Sequence, residues 1–164
     1  MAKIFRPGAT GALLDEYEQV IAVLQQVIST IPDEALTTVI DAETTDENCR
    51  SVQAILTHVV SAGFGYATSI HNLKGPQIVR REKVLHVTIA AYLKDLADLF
   101  LFTEEVFRGI KDEELEQHEA SRKIRSSWGQ LYDIEQMTEH AIVHILRHRR
   151  QIEKIKLHQL LIEA

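Results

Sequence analysis

Apolar residues recur at intervals of three and four along four stretches of this chain, and polar segments containing Gly or Pro separate them. Leu13, Tyr17, Val20, Leu24, Val27 and Ile31 form the first stripe, with Leu14, Ile21 and Ile28 beside it. This predicts a helix over residues 10–31, ended by Pro32, which has no N–H to donate. Residues 32–50, "PDEALTTVIDAETTDENCR", are polar and predict a connection, with room for a short extended piece at "LTTVI". Ser51 is a good N-cap for a second helix, "SVQAILTHVVSAGFGYATSIHNL", whose inward stripe reads Val52, Ile55, Val59, Ala62, Tyr66, Ile70 and Leu73. Gly63 and Gly65 weaken it locally, and "KGP" at 74–76 stops it.

The third stripe starts behind Thr88, again a plausible N-cap, and runs to about Arg108 through Ile89, Tyr92, Leu93, Leu96, Leu99, Phe100, Thr103 and Phe107. Residues 77–87 fit either a backward extension of that helix or a crossing of the bundle end. Gly109 marks the stop. Residues 110–126 are strongly charged and predict a second long connection, and a fourth helix is predicted from about Ser127 to Leu161. The pattern therefore gives an all-α protein, a four-helix bundle in which each helix of about 20 residues spans about 30 Å. Its long crossover connections could run the length of the bundle, so the helices need not alternate simply up and down. No repeat or linker interrupts the chain, and residues 1–164 read as one domain.

Composition narrows the function classes. The chain has 45% hydrophobic but only 6% aromatic residues, with few Gly and Pro, which suits helices. A formal net charge of −6 argues against a phosphate backbone as partner, so nucleic acid is not expected. The single cysteine, Cys49, excludes an intrachain disulfide and a thiolate zinc cluster, and its polar surroundings in sequence give it no catalytic role. No stretch reaches the roughly 18 apolar residues of a membrane span, and the opening "MAKIFRPGATGALLDEYEQ" lacks a signal-type apolar run. A cytoplasmic protein without membrane contact is expected.

The candidate chemistry lies in "EHAIVHILRHRRQI", residues 139–152, where His140, His144 and His148 recur every fourth residue. On a helical wheel His148 falls at the centre of the stripe formed by Ile134, Met137, Ala141, Ile145, Ile152 and Ile155. His144 falls just inside its edge, and His140 lies further out on a flank shared with Gln151 and His158. An i, i+4 histidine pair presents two imidazoles one turn apart on one face, the spacing by which one helix supplies two ligands to a metal. Neutral imidazole suits zinc, nickel, copper and iron(II). On an apolar stripe, unpaired imidazoles would be costly. His58, between Ile55 and Ala62 on the second helix, is the best third ligand, with a carbonyl-bonded core-boundary histidine as the alternative. His71 lies on the outer side near a helix end, His86 and His118 in connections, and His158 in the tail; His86 could reach in if residues 77–87 fold over the bundle end.

Two segments resemble the DinB-like superfamily of metal-binding four-helix bundles, which includes bacterial thiol transferases. "SVQAILTHVV", residues 51–60, looks like the family's second-helix motif, in which a capped helix start leads to a ligand histidine, here His58. "HILRHRRQI", residues 144–152, is similar to its pattern of two histidines four apart followed by Arg, a small residue, Gln and an aliphatic, matched by Arg149, Gln151 and Ile152. Arg147 stands where many relatives have a further histidine, and Arg150 replaces the small residue. The resemblance implies an up-down-down-up bundle, a divalent ion, usually zinc or nickel, on His58, His144 and His148, and commonly a homodimer. Three protein ligands leave a coordination position open. In thiol-transferring relatives the implied reaction is attack by a low-molecular-weight thiol on a small electrophile.

Four further residues are candidates for substrate contact or for support of the ligands. Tyr92 is a core tyrosine or lines the site. Gln151 orients a ligand, binds substrate or marks the core boundary. Arg149 pairs with a substrate carboxylate or complements the helix dipole together with Arg150 and Lys154. His140 supports the ligands or is exposed, with exposure favoured. Ile142, Val143 and Leu146 form an outward apolar cluster, to which Leu101 and Phe102 could add, that fits a dimer face. Two functional readings follow: a metal-dependent enzyme of thiol-S-transferase or hydrolase type, or a non-catalytic metal-binding bundle acting as a stress-linked interaction protein.

Overall fold

In a computed structural model of the protein, residues 4–40 and 42–162 are described, the last five of them without side chains, so the His158 side chain lies outside the described residues. Four helices carry the fold: α1 (Gly8–Ile28), α2 (Val52–Lys74), α3 (Ile89–Phe107) and α4 (Ile134–Ile162). The caps expected at α2 and α3 are present. Ser51 Oγ accepts from Ala54 N at 3.1 Å, and Thr88 Oγ1 accepts from Ala91 N at 3.4 Å. At α1 the anchor comes from far along the chain: the Asp112 carboxylate accepts from Ala9 N and Thr10 N, each at 2.9 Å. The helix accordingly begins at Gly8, whose φ of 77° lies in the left-handed region that glycine tolerates. It ends at Ile28, three residues before the expected Ile31, in a turn closed by Ile31 N on Ile28 O.

Side-chain contacts fix the helix directions. Lys156 Nζ, late in α4, donates to Val27 O, late in α1, so these two run parallel. Arg6, just before α1, pairs with Glu104 near the end of α3, which sets α1 against α3. Thr57 meets Tyr92 near the starts of α2 and α3, and Lys74 Nζ reaches Gly109 O beyond their ends, so this pair is also parallel. Tyr66 of α2 touches His140 of α4 while the earlier His58 touches the later His148, an antiparallel pair. The result is an up-down-down-up bundle with α1 packed on α3 and α4, and α2 on the same two.

Two parallel neighbours need a connection as long as the bundle, and residues 75–88 provide it. Residues 77–86 are extended and without regular structure, so they do not prolong α3. They form a strap back along α2: Ile78 N bonds Asn72 Oδ1, Arg80 bonds Ser61 O, and His86 O accepts from Gln53 Nε2. Gly65 carries no side chain where Arg80 crosses, and Gly63 none where Leu99 of α3 presses in; a Cβ there would stand 2.7 and 2.5 Å from those side chains. The glycines that weaken the helical pattern are thus the points of closest approach.

The third connection corrects one boundary. Helix α4 begins at Ile134 rather than near Ser127, because residues 124–132 turn into a hairpin, β1 (Ile124–Arg125) against β2 (Leu131–Tyr132). Ser126 N bonds Gln130 O, and Gly129 at φ 93° closes the turn. Asp133 then caps α4, its Oδ1 accepting from Gln136 N at 2.9 Å while Gln136 Oε1 accepts from Asp133 N at 3.2 Å. "LTTVI" forms no strand; it holds two short 3-10 turns apart, with Ile40 N bonded to Arg50 O.

The main core runs through all four helices around Leu24, Ile55, Leu96, Leu99 and Ile145, and a second cluster around Ile70, Phe107, Leu115 and Met137 closes the hairpin end. Leu73, assigned to the α2 stripe, is exposed at the helix end, whereas Leu56, Val60 and Phe64 on its other flank are buried against the strap and α3. Ile142 and Leu146 also pack against the core, which leaves Val143 as the exposed member of the expected outward cluster. Leu101 is exposed, while Phe102 packs on Phe64 at 5.7 Å between ring centroids. No described helix is long and apolar enough to cross a membrane.

Candidate metal centre

The helical stripe that buries α4 against α2 brings His144 and His148 opposite His58. Ring centroids lie 4.8 Å apart for His58 and His144, 5.1 Å for His58 and His148, and 4.5 Å for His144 and His148. One ring nitrogen from each imidazole lies within 4.8 Å of the others, and the Nε2 atoms of His58 and His144 face one another at 2.9 Å. A tetrahedral ion about 2.1 Å from each nitrogen spaces its ligand atoms by roughly 3.4 Å, a value the observed separations bracket. His148 is 3% exposed, and His58 and His144 are half-buried, in the order the helical wheel implies.

Burial and crowding keep these imidazoles neutral. Burial, together with repulsion from His148 and His58, pushes His144 down to about 3. Burial also pushes His58 down to about 4, helped by His148, Lys83 and Arg80. His148 is lowered by burial, against a hydrogen bond with Gln151 that raises it. That bond, 3.0 Å from Nδ1 to Gln151 Oε1, sets the tautomer: Nδ1 donates, and Nε2 keeps its lone pair on the side of the other two rings. Neutral, largely buried imidazoles whose ring nitrogens converge, with the His58 and His144 Nε2 atoms already sharing one proton that an ion could displace, are what a divalent cation requires, so the donor set fits a metal.

Gln151 in turn connects to a residue that the sequence reading set aside. Cys49 Sγ lies 3.8 Å from Gln151 Oε1 and 3.4 Å from Asp46 Oδ2. Burial pushes this thiol up, so it remains a donor. Nothing in the pattern of residues 32–50 places them here. The loop is held by contacts distant in sequence, such as Gln53 N on Leu36 O, and by the Asp46 side chain capping Asn48 N.

The other candidates divide. Tyr92 is fully buried and belongs to the core: its hydroxyl meets Thr57 Oγ1 at 2.6 Å, donates to Gln53 O and accepts from His86 N. Arg149 lies one position past His148 on another face and pairs with Glu153 at 3.5 Å. His140 is half-buried rather than exposed, stacked on Trp128 at 5.0 Å, tilted against Tyr132 at 5.7 Å and edge-on to Tyr66 at 5.3 Å. Its sequence signal was incomplete because the aromatic cover comes from the hairpin. His86 turns to Asp95 at 2.7 Å, His71 meets Asn72 Oδ1 at 3.3 Å, and His118 is exposed, so none of these joins the triad.

Residues 7–160 match the model of the DinB family. Comparison with curated proteins finds no match.

Proposed function

The chain belongs to the DinB family, and from that premise we propose that His58, His144 and His148 hold a divalent metal, zinc or nickel, in a metal-dependent enzyme of thiol-S-transferase or hydrolase type. The observation that carries this reading is the convergence of three neutral imidazoles, one of them with its tautomer set by Gln151. A divalent ion bound there would lower the pKa of a thiol or water at its open position and so supply a nucleophile near neutral pH. The chain's own residues do the rest. Gln151 keeps the proton on His148 Nδ1, and Cys49 Sγ lies 3.8 Å from the same Gln151 oxygen. Tyr66, edge-on to His144 at 5.8 Å, walls the other side and leads into an open pocket next to His58. A low-molecular-weight thiol and a small electrophile are the proposed substrates, and a homodimer the proposed assembly.

Tag-free protein incubated with zinc or nickel and then desalted should carry close to one metal per chain, and a content below about 0.2 equivalents would overturn the assignment. Turnover of a thiol against a panel of electrophiles separates the enzyme from a non-catalytic metal-binding bundle. Metal-dependent product formation supports the former. A metal that raises the melting temperature while no electrophile is consumed supports the latter.

A further inference from the structure

The pocket beside His58 carries a charge pattern that three histidines do not need. It encloses ≈ 370 Å³ between α2, the 75–88 strap and the hairpin. Arg80 and Lys83 of the strap and Arg125 of β1 line it, although the chain as a whole is acidic. Among the described residues none of these three cations pairs with a carboxylate. Arg80 is positioned by Ser61, donating to its carbonyl at 2.8 Å and its hydroxyl at 3.2 Å, and it packs on the bare backbone of Gly65. Lys83 Nζ donates to Asn48 Oδ1 at 3.1 Å.

A second observation is independent of the charges. Ser126, at the turn of the hairpin, is 7% exposed, lines the same pocket, and its Oγ has no hydrogen-bond partner. A buried hydroxyl left unpaired costs free energy, and it can donate to an oxyanion. Cations held without counter-ions beside an unused buried donor form a receptor for an anionic group, and a planar guanidinium favours carboxylate or phosphate oxygens.

We propose that this pocket is an anion subsite in which Arg80, Lys83, Arg125 and the Ser126 hydroxyl take the carboxylate or phosphate group of a small molecule whose other end lies at the histidine triad. The identity of that other end rests on the metal-site reading; the anion binding does not. The role of pairing with a substrate carboxylate, one of two readings of Arg149 from sequence, falls instead to three cations on two other segments. Trp128 and Tyr66 on the pocket wall offer faces to an aromatic or apolar body.

Trp128 is the single tryptophan of the chain, so its fluorescence reports on this pocket. Full-length protein, metal-free and zinc-loaded, is titrated with benzoate, phenyl phosphate and the neutral benzamide. A saturable change with benzoate or phenyl phosphate and none with benzamide is expected, and the tighter of the two names the oxyanion. Arg125→Gln and Lys83→Gln, at exposed side chains, should each weaken binding about tenfold, the size of one charge-assisted hydrogen bond. Ser126→Ala should weaken it less, with zinc content unchanged in all three. Absence of saturation with both anions, an equal response to benzamide, or wild-type affinity in both cation variants would overturn the subsite. Anion binding that persists in a protein taking up no zinc would sink the metal reading and leave the subsite standing.

Discussion

A triad of histidines faces α4 and a single histidine, His86, sits on the strap, and their surroundings give the same side chain opposite uses. On the strap side, His86 Nε2 lies 2.7 Å from Asp95 Oδ2, and Arg81 completes that carboxylate at 2.9 Å. Burial pushes Asp95 up, but the bonds from His86 and Arg81 outweigh it and hold the carboxyl below its usual range. This histidine faces a carboxylate inside the protein, and its bonds tie the strap to α3. On the α4 side, the hydrogen bonds of His58, His144 and His148 run to one another and to an amide oxygen. Burial without a counter-charge keeps them neutral and leaves an electron-rich centre that a cation would satisfy. Proximity to a carboxylate, more than burial or helical spacing, separates the structural histidine from the proposed ligands.

Removing a histidine from the triad and, separately, His86 breaks the comparison most directly. His144→Ala should reduce zinc affinity by at least about 100-fold, since it deletes a ligand rather than a supporting contact. His86→Ala should leave zinc binding unchanged and lower stability by about 1–2 kcal/mol through the weakened strap, a modest loss because the Arg81–Asp95 pair remains and is partly solvated. Zinc titration calorimetry and denaturant unfolding on both variants test this. Equal zinc affinities in the two variants would contradict the division of roles.

Acid should separate the two sites next. A histidine whose folded pKa is depressed favours the folded state above its unfolded value of 6.5 and loses that contribution as pH falls through the folded value. For His58 and His144 those folded values are about 4 and about 3. Metal-free protein should therefore lose stability as pH drops from 6.5 toward 4. Asp95, held below its ordinary 3.8, contributes stability that survives this range and is lost only at lower pH. Melting temperatures of metal-free protein across this range should decline, and those of His144→Ala should decline less. A flat profile above pH 4 would mean that the imidazoles are not neutral in the fold.

Much of the ligand side was legible from sequence because it obeys one helical period. The wheel puts His148 at the stripe centre, and the spacing from Ile55 and Ala62 puts His58 near the buried face of α2. The four helices followed from the same periodicity. What was not legible depends on contacts between distant segments. The N-terminus of α1 is anchored by Asp112, about a hundred positions away. The start of α4 gave way to a hairpin only two residues wide per strand, too short for an alternating pattern to show. Cys49 reaches Gln151 on a loop with no period at all, and Arg80, Lys83 and Arg125 meet only because an extended strap and that hairpin face the same stretch of α2.

The finest test of the comparison concerns Gln151, the one neutral group that stands where a carboxylate stands beside His86. Its Oε1 accepts from His148 Nδ1 at 3.0 Å, and it orients the ring without adding charge. Gln151→Leu should remove that orientation and weaken zinc binding about tenfold, the lower end of effects seen for groups that support a ligand histidine. Gln151→Glu should restore the acceptor and bind zinc at least as tightly as the parent. It should also raise the proton affinity of His148, because a carboxylate favours the imidazolium. Zinc binding by Gln151→Glu would then fall off at a higher pH than in the parent as the solution is acidified. Calorimetric zinc titrations at several pH values read both effects, and identical pH profiles for Gln151→Glu and the parent would show that the amide does not set the charge state of this histidine.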